Sequence, residues 1–237
     1  MSRVPPGVRA AGVRVLENVP PAYCAIMRRR HPEWLVVDRR CDLVIEGYQS
    51  SGNTFARKAV EYANPGIRLG SHVHRWAHVA QAQLLRKPVL VLLRQPEDAI
   101  ASHLVRMELD DVGGELRRYA AFYRGVARIR RAGLVVGTFE DVTRRYGTVI
   151  DRINERFGTS FVPFDHEDPA ATVAIFAEME REMESIGASW RVARPREERK
   201  VATDVARERL RAPEHGAAFD ACRRAYDALI GDRSAVS

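Results

Sequence analysis

The chain has 237 residues, 46% of them hydrophobic and 29% charged, which suits one α/β domain with a buried core and argues against wholesale disorder. Its formal net charge of +7 favours anionic partners such as nucleotides, phosphorylated or sulfated groups, nucleic acid or a membrane surface, without choosing among them. Cys24, Cys41 and Cys222 are odd in number and far apart, which fits neither a disulfide framework nor a metal-ligand spacing.

A reducing cytoplasm is therefore the expected compartment. The first thirty residues lack the apolar centre of a signal peptide, and no stretch approaches the roughly 18 apolar residues of a membrane span, so stable membrane insertion is not expected.

Residues 1–40 are rich in proline and arginine and read as an extended N-terminal arm of the same domain, with a short helix near Ala22–Arg30. From residue 41 onward strand and helix alternate. "LVIEGY" (43–48) is a short apolar run ending at a glycine turn, hence a buried strand, and "NTFARKAVEYAN" (53–64) places Phe55, Ala56, Ala59, Val60 and Ala63 on one helical face. "IRLGSH" (67–72) reads as a second strand and 76–87 as a helix; "VLVLLR" (89–94) is apolar on both faces, as a central parallel strand must be.

Pro96, followed by Glu97 and Asp98, opens the next helix, and Gly113-Gly114 is expected as a hinge or loop before a helix over 114–132. "GLVVGTF" (133–139) is a further strand, followed by helices at about 142–157, 170–186, 204–211 and 216–230. The pattern predicts a single-domain, three-layer α/β/α architecture with a parallel central sheet, a nucleotide-binding P-loop and additional C-terminal helices. Ligands of such sheets sit beyond the carboxyl ends of the strands.

At one such end stands "GYQSSGNT" (47–54), which has the spacing of a phosphate loop except that Asn53 stands where the usual lysine belongs. The glycines let the backbone curl and the following helix aims its first amides at an anion, so the cradle survives the loss; the cation for β- and γ-phosphates does not. The same residues also suit an ordinary strand–helix turn. "LLRQPEDAIASH" (92–103) ends a strand on Arg94 and carries Ser102 eight positions later, off the apolar stripe. A guanidinium fork with a serine hydroxyl suits a phosphate monoester; the alternative is an arginine paired locally and a serine on a helix surface. Two anion cradles on separate strand ends point to a ligand with phosphates at two places.

Together these segments resemble the cytosolic-type sulfotransferases that use 3′-phosphoadenosine-5′-phosphosulfate (PAPS). "YQSSGNTF" (48–55) is similar to the family's "YPRSGNTF" or "YPKSGTTW", the Arg94/Ser102 spacing matches its 3′-phosphate site, and "FEDV" (139–142) matches its "YEDL". The resemblance spans roughly residues 43–160, and in it Asn53 is normal. It implies that Ser51, Gly52, Asn53 and Thr54, with Ser50 beside them, hold the 5′-phosphosulfate, that Phe55 lies near the adenine, and that Arg94 and Ser102 hold the 3′-phosphate. One departure stands out: Ser50 replaces the loop lysine or arginine that stabilises the departing charge, and Gln49 replaces a proline.

Sulfuryl transfer also needs a base for the acceptor's proton, and a histidine suits that task near neutral pH. The family often places one just past the second strand; "GSHVHRWAH" offers His74 first, His72 second, and His78 a turn into the helix. If the strand continued, His72 and His74 would point the same way. The basic run "ARPREERK" (193–200) lies where the family closes a basic segment over the 3′-phosphate, a role for Arg199 or Lys200; the alternative is solvated surface.

The expected function is transfer of a sulfuryl group from PAPS to a hydroxyl or amine of a small-molecule, lipid or glycan acceptor, leaving adenosine 3′,5′-bisphosphate and requiring no metal. The alternatives are a P-loop kinase and a catalytically weak nucleotide-binding relative. No nucleic-acid-binding signature is present.

Overall fold

Alternation along the strands sets the layers. On β1 (Leu43–Gly47), Leu43 and Ile45 face one side and Val44 the other; on β3 (Val89–Leu93), Leu90 and Leu92 face the first side and Val89, Val91 and Leu93 the second. With β2 (Leu69–Ser71) and β4 (Val135–Thr138) they form a four-stranded, all-parallel sheet of order β2-β1-β3-β4. The computed structural model describes residues 16–130, 133–185, 187–188, 192 and 197–231; residues 1–15 of the expected arm, parts of two expected helix ends at 131–132 and 186, and 193–196 of the basic run lie outside the described residues.

One face of the sheet is covered by α1 (Pro20–Arg30), α3 (Trp76–Leu84), α4 (Pro96–Met107), α5 (Val112–Ile129) and, further out, α9 (Lys200–Leu210) and α10 (Gly216–Ile230). The other is covered by α2 (Asn53–Ala63), α6 (Phe139–Arg144), α7 (Tyr146–Phe157) and α8 (Pro169–Ser185). Each face has its own continuous apolar cluster, in which fully buried side chains such as Leu90, Leu92 and Ile150 contribute about 1.5–3 kcal/mol apiece. The expected three-layer α/β/α class is the observed one. The three cysteines are buried free thiols.

Local chemistry sets several boundaries. Pro96 in the first turn of α4, with Glu97 and Asp98, starts that helix as expected. Gly113 and Gly114 are not a hinge: Asp111 accepts from the Gly114 amide at 2.7 Å and caps α5, so both glycines lie in its first turn. The helix expected over 142–157 is two. Thr138 and Asp141 form a reciprocal capping box that starts α6 at Phe139, and the chain breaks at Arg145 before α7. The second strand stops at Ser71, short of the expected 72, because the amides that follow are claimed by a buried carboxylate described below.

Candidate functional site

The carboxyl ends of β1 and β3 are neighbours, with Gly47 registered against Leu92. Gly47 is required there, since a Cβ would meet the Leu92 carbonyl oxygen at 2.8 Å. Beyond it the chain turns sharply: Ser50 has φ +59° and Gly52 φ +92°, the latter a conformation that disfavours any side chain. The turn feeds the N-terminus of α2, which has no side-chain cap, whereas α5 and α6 carry theirs. Its first amides are thus left to an outside acceptor.

Asn53 is turned inward, donating from Nδ2 to the Tyr48 carbonyl at 2.9 Å and bracing the turn across its base. Ser51 is fully buried, its hydroxyl 3.3 Å from the Tyr123 hydroxyl. That phenol donates to Leu92 O at 2.7 Å and accepts from the Tyr48 amide at 3.2 Å. Ser50 Oγ is buried with no partner among the described residues, a spare donor in the turn.

Arg94 closes the other side. Its Nη1 donates to the Ser50 carbonyl at 2.8 Å, and its guanidinium carbon lies 4.0 Å above the centre of the Phe139 ring. Phe139 in turn packs beside Gly52. Burial pushes the Arg94 pKa down, with Asp98 and Glu140 opposing and Arg207 adding to the shift. Arg207 comes from α9 and is bound to Asp98 at 2.7 Å. Ser102, two turns into α4, is half-buried, and its hydroxyl has no hydrogen-bond partner among the described residues. Arg199 donates to the Val192 carbonyl at 3.2 Å.

The histidines lie on the β1 side of the turn. His72 and His74 both have left-handed backbones, φ +63° and +53°, so the expected alternation of a continuing strand does not apply; their rings nonetheless meet edge to face at 5.6 Å. His72 is engaged through both nitrogens, Nδ1 with Ser71 Oγ at 2.9 Å and Nε2 with Thr54 Oγ1 at 3.2 Å. Burial, with the charges of His74 and Arg57, pushes its pKa down to about 3. His74 Nδ1 lies 2.7 Å from the Gly47 carbonyl, which can only accept, so the proton sits on Nδ1 and Nε2 carries the lone pair. Burial lowers the His74 pKa, opposed by the Glu46 carboxylate and the Gly47 bond. His78 is fully buried, held between Glu46 and the Val37 amide.

The structure thus brings together Ser50, Ser51, Gly52, Asn53, Thr54, Arg94, His72 and His74. Phe55 is set apart, buried among Phe164, His166 and Phe176, with the His166 ring stacked parallel at 5.9 Å. Sequence reading missed Glu46, Tyr123 and Arg207, and singled out Phe139 only within "FEDV", with no role. A lone carboxylate inside the apolar run "LVIEGY" was the available signal for Glu46; nothing local marked Tyr123 or Arg207. A cavity of about 650 Å³, lined by Cys41, Asn64, Arg86, Lys87, Phe157 and Phe161 among others, opens at the amino ends of the strands, the wrong end for a ligand held by strand-end turns.

No protein-family model matches this chain, and no curated protein matches it in sequence. Among solved structures it is similar to mouse sulfotransferase SULT7A1 complexed with PAP, with a TM-score of 0.52 and 11% identity over 81% of this chain and 86% of that one. The likeness establishes a sulfotransferase-like fold. No helix among the described residues is long and apolar enough to cross a membrane.

Proposed function

We propose that the protein is a sulfotransferase that takes a sulfuryl group from PAPS to a hydroxyl or amine of a small-molecule, lipid or glycan acceptor. The observation that carries this reading is the Arg94 guanidinium seated on the Ser50 carbonyl, which joins the two anion cradles of adjacent strands into one site. The uncapped start of α2, the glycine turn and the spare Ser50 hydroxyl fit a phosphosulfate; the fold likeness to a PAP-bound sulfotransferase supports the same ligand. PAPS, when bound, supplies the activated sulfuryl group.

The amides of Gly52, Asn53 and Thr54 with the Ser50 and Thr54 hydroxyls would hold its 5′ end, Ser51 acting through the turn rather than by its buried side chain. Arg94 has Nη1 committed to the turn, so Nε and Nη2 remain for the 3′-phosphate, with Ser102 and, through the α4 N-terminal region, Arg207 in support. His74 Nε2, unprotonated and directed by the Gly47 bond, would take the acceptor's proton; His72 stays neutral and orients Thr54. Positioning and charge stabilisation carry the rest, as in phosphoryl transfer.

Thermal shift with adenosine 3′,5′-bisphosphate and with Mg-ATP tests the reading. A ligand at 100 times its Kd stabilises by about 2.7 kcal/mol. The bisphosphate is expected to stabilise; stabilisation by Mg-ATP alone would establish a kinase instead. Transfer of labelled sulfate to an acceptor panel should disappear in His74→Ala while bisphosphate affinity is kept, and bisphosphate binding without transfer to any acceptor would leave a nucleotide-binding protein.

A further inference from the structure

Glu46 is anomalous by its position. It sits in β1 on the face packed by α3, where its strand neighbours are apolar, and it is 0% exposed. A buried carboxylate is unfavourable unless donors meet its oxygens. Here three do. Oε1 accepts from the Val73 amide at 2.9 Å and from His78 Nδ1 at 2.8 Å, and Oε2 accepts from the His74 amide at 3.0 Å.

His78 Nε2 accepts from the Val37 amide at 2.7 Å, which forces its proton onto Nδ1 and makes it a neutral donor to Glu46. The negative charge is therefore not cancelled by His78. It remains 3.8 Å from His74 Nδ1, behind the bond from that nitrogen to Gly47. The same carboxylate grips the consecutive amides of Val73 and His74, in the turn where the non-glycine residues His72 and His74 hold left-handed backbones that need outside support.

We propose that Glu46 is the positioning residue for His74: it fixes the backbone that presents the ring, and its charge stabilises the imidazolium formed when Nε2 takes a proton. The role rests on the reading of His74 as the base. The groups around that ring are Glu46 from β1, Arg106 and His103 from α4, Arg75 and His72 on its own segment, and His78 from α3, which shares Glu46. Glu46 is the one carboxylate among them, and the cations oppose it.

The test is histidine side-chain NMR on the full chain, with His74 assigned by its loss in His74→Gln. In the wild type, long-range ¹H–¹⁵N correlation is expected to show the Nδ1–H tautomer at neutral pH; an Nε2–H tautomer overturns the proposal without any variant having to fold. In Glu46→Gln the His74 titration midpoint is expected to fall by at least about one unit, tenfold in proton affinity, with adenosine 3′,5′-bisphosphate affinity unchanged within about twofold. An unmoved midpoint, or a matching loss of bisphosphate affinity, overturns it. A wild type that does not bind the bisphosphate defeats the nucleotide reading, while tautomer and midpoint still decide the part played by Glu46.

Discussion

Arg94→Ala removes a guanidinium that serves two masters, and the two can be separated. One is the turn, through Nη1 on the Ser50 carbonyl at 2.8 Å and the stack on Phe139 at 4.0 Å. The other is the proposed 3′-phosphate, met by the remaining donors. Each charge-assisted hydrogen bond is worth about 1.5–3 kcal/mol, so losing two costs about 3–6 kcal/mol, or roughly 10²–10⁴ in Kd at 1.4 kcal/mol per tenfold. Disturbing the turn weakens any 5′-phosphate ligand alike; only the second loss depends on a 3′-phosphate. Calorimetric titration with adenosine 3′,5′-bisphosphate and with adenosine 5′-monophosphate isolates it. The variant is expected to lose about 100-fold or more in affinity for the bisphosphate beyond its loss for the monophosphate. Equal losses would show that Arg94 serves the turn alone, and the two-cradle argument would fail.

Two further outcomes test the conformation and electrostatics of the site. Gly52→Ala places a Cβ on a residue at φ +92°, 3.4 Å from the Phe139 ring, and is expected to lower stability by about 1–2 kcal/mol, read as a lower urea midpoint at unchanged m; an unaltered midpoint would refute the left-handed turn. His72 and His103 are both pushed down to about 3, mainly by burial, so between about pH 6.5 and 3 the unfolded chain binds protons that the folded one refuses. Stability is therefore expected to fall as pH drops through that window, on the order of 1 kcal/mol per unit for each histidine, and His103→Asn should flatten the dependence between pH 6 and 4; identical slopes would refute the buried neutral state.

The architecture was legible because it is written locally. Strands such as "VLVLL" are apolar throughout, and helix starts carry Pro96 or an acidic first turn. Misreadings arose where one side chain outweighs a composition rule: Asp111 turns Gly113-Gly114 from a hinge into a capped helix start, and the Thr138–Asp141 box starts α6 before the apolar period of α7 begins. At the site, residues next to the turn or at a strand end could be read, namely Ser50 to Thr54, Arg94 and the histidines. Glu46 acts on amides 27 and 28 positions away and Tyr123 on the Tyr48 amide 75 positions away, separations that no local pattern encodes. The bend at the histidines went unread for the same reason: the strand was expected to reach His72, and the amides that Glu46 claims end it at Ser71.

Tyr123 has one consequence beyond holding the turn. Its single hydroxyl, borne by α5 on the back of the sheet, meets the Leu92 carbonyl, the Tyr48 amide and the Ser51 side chain at once. The loop proposed to hold the ligand is thus bolted from beneath before anything arrives. Capture then requires little freezing of main chain, so affinity should come from contact rather than be drained by induced order, and a phenylalanine there would leave the grip complete in composition but slack.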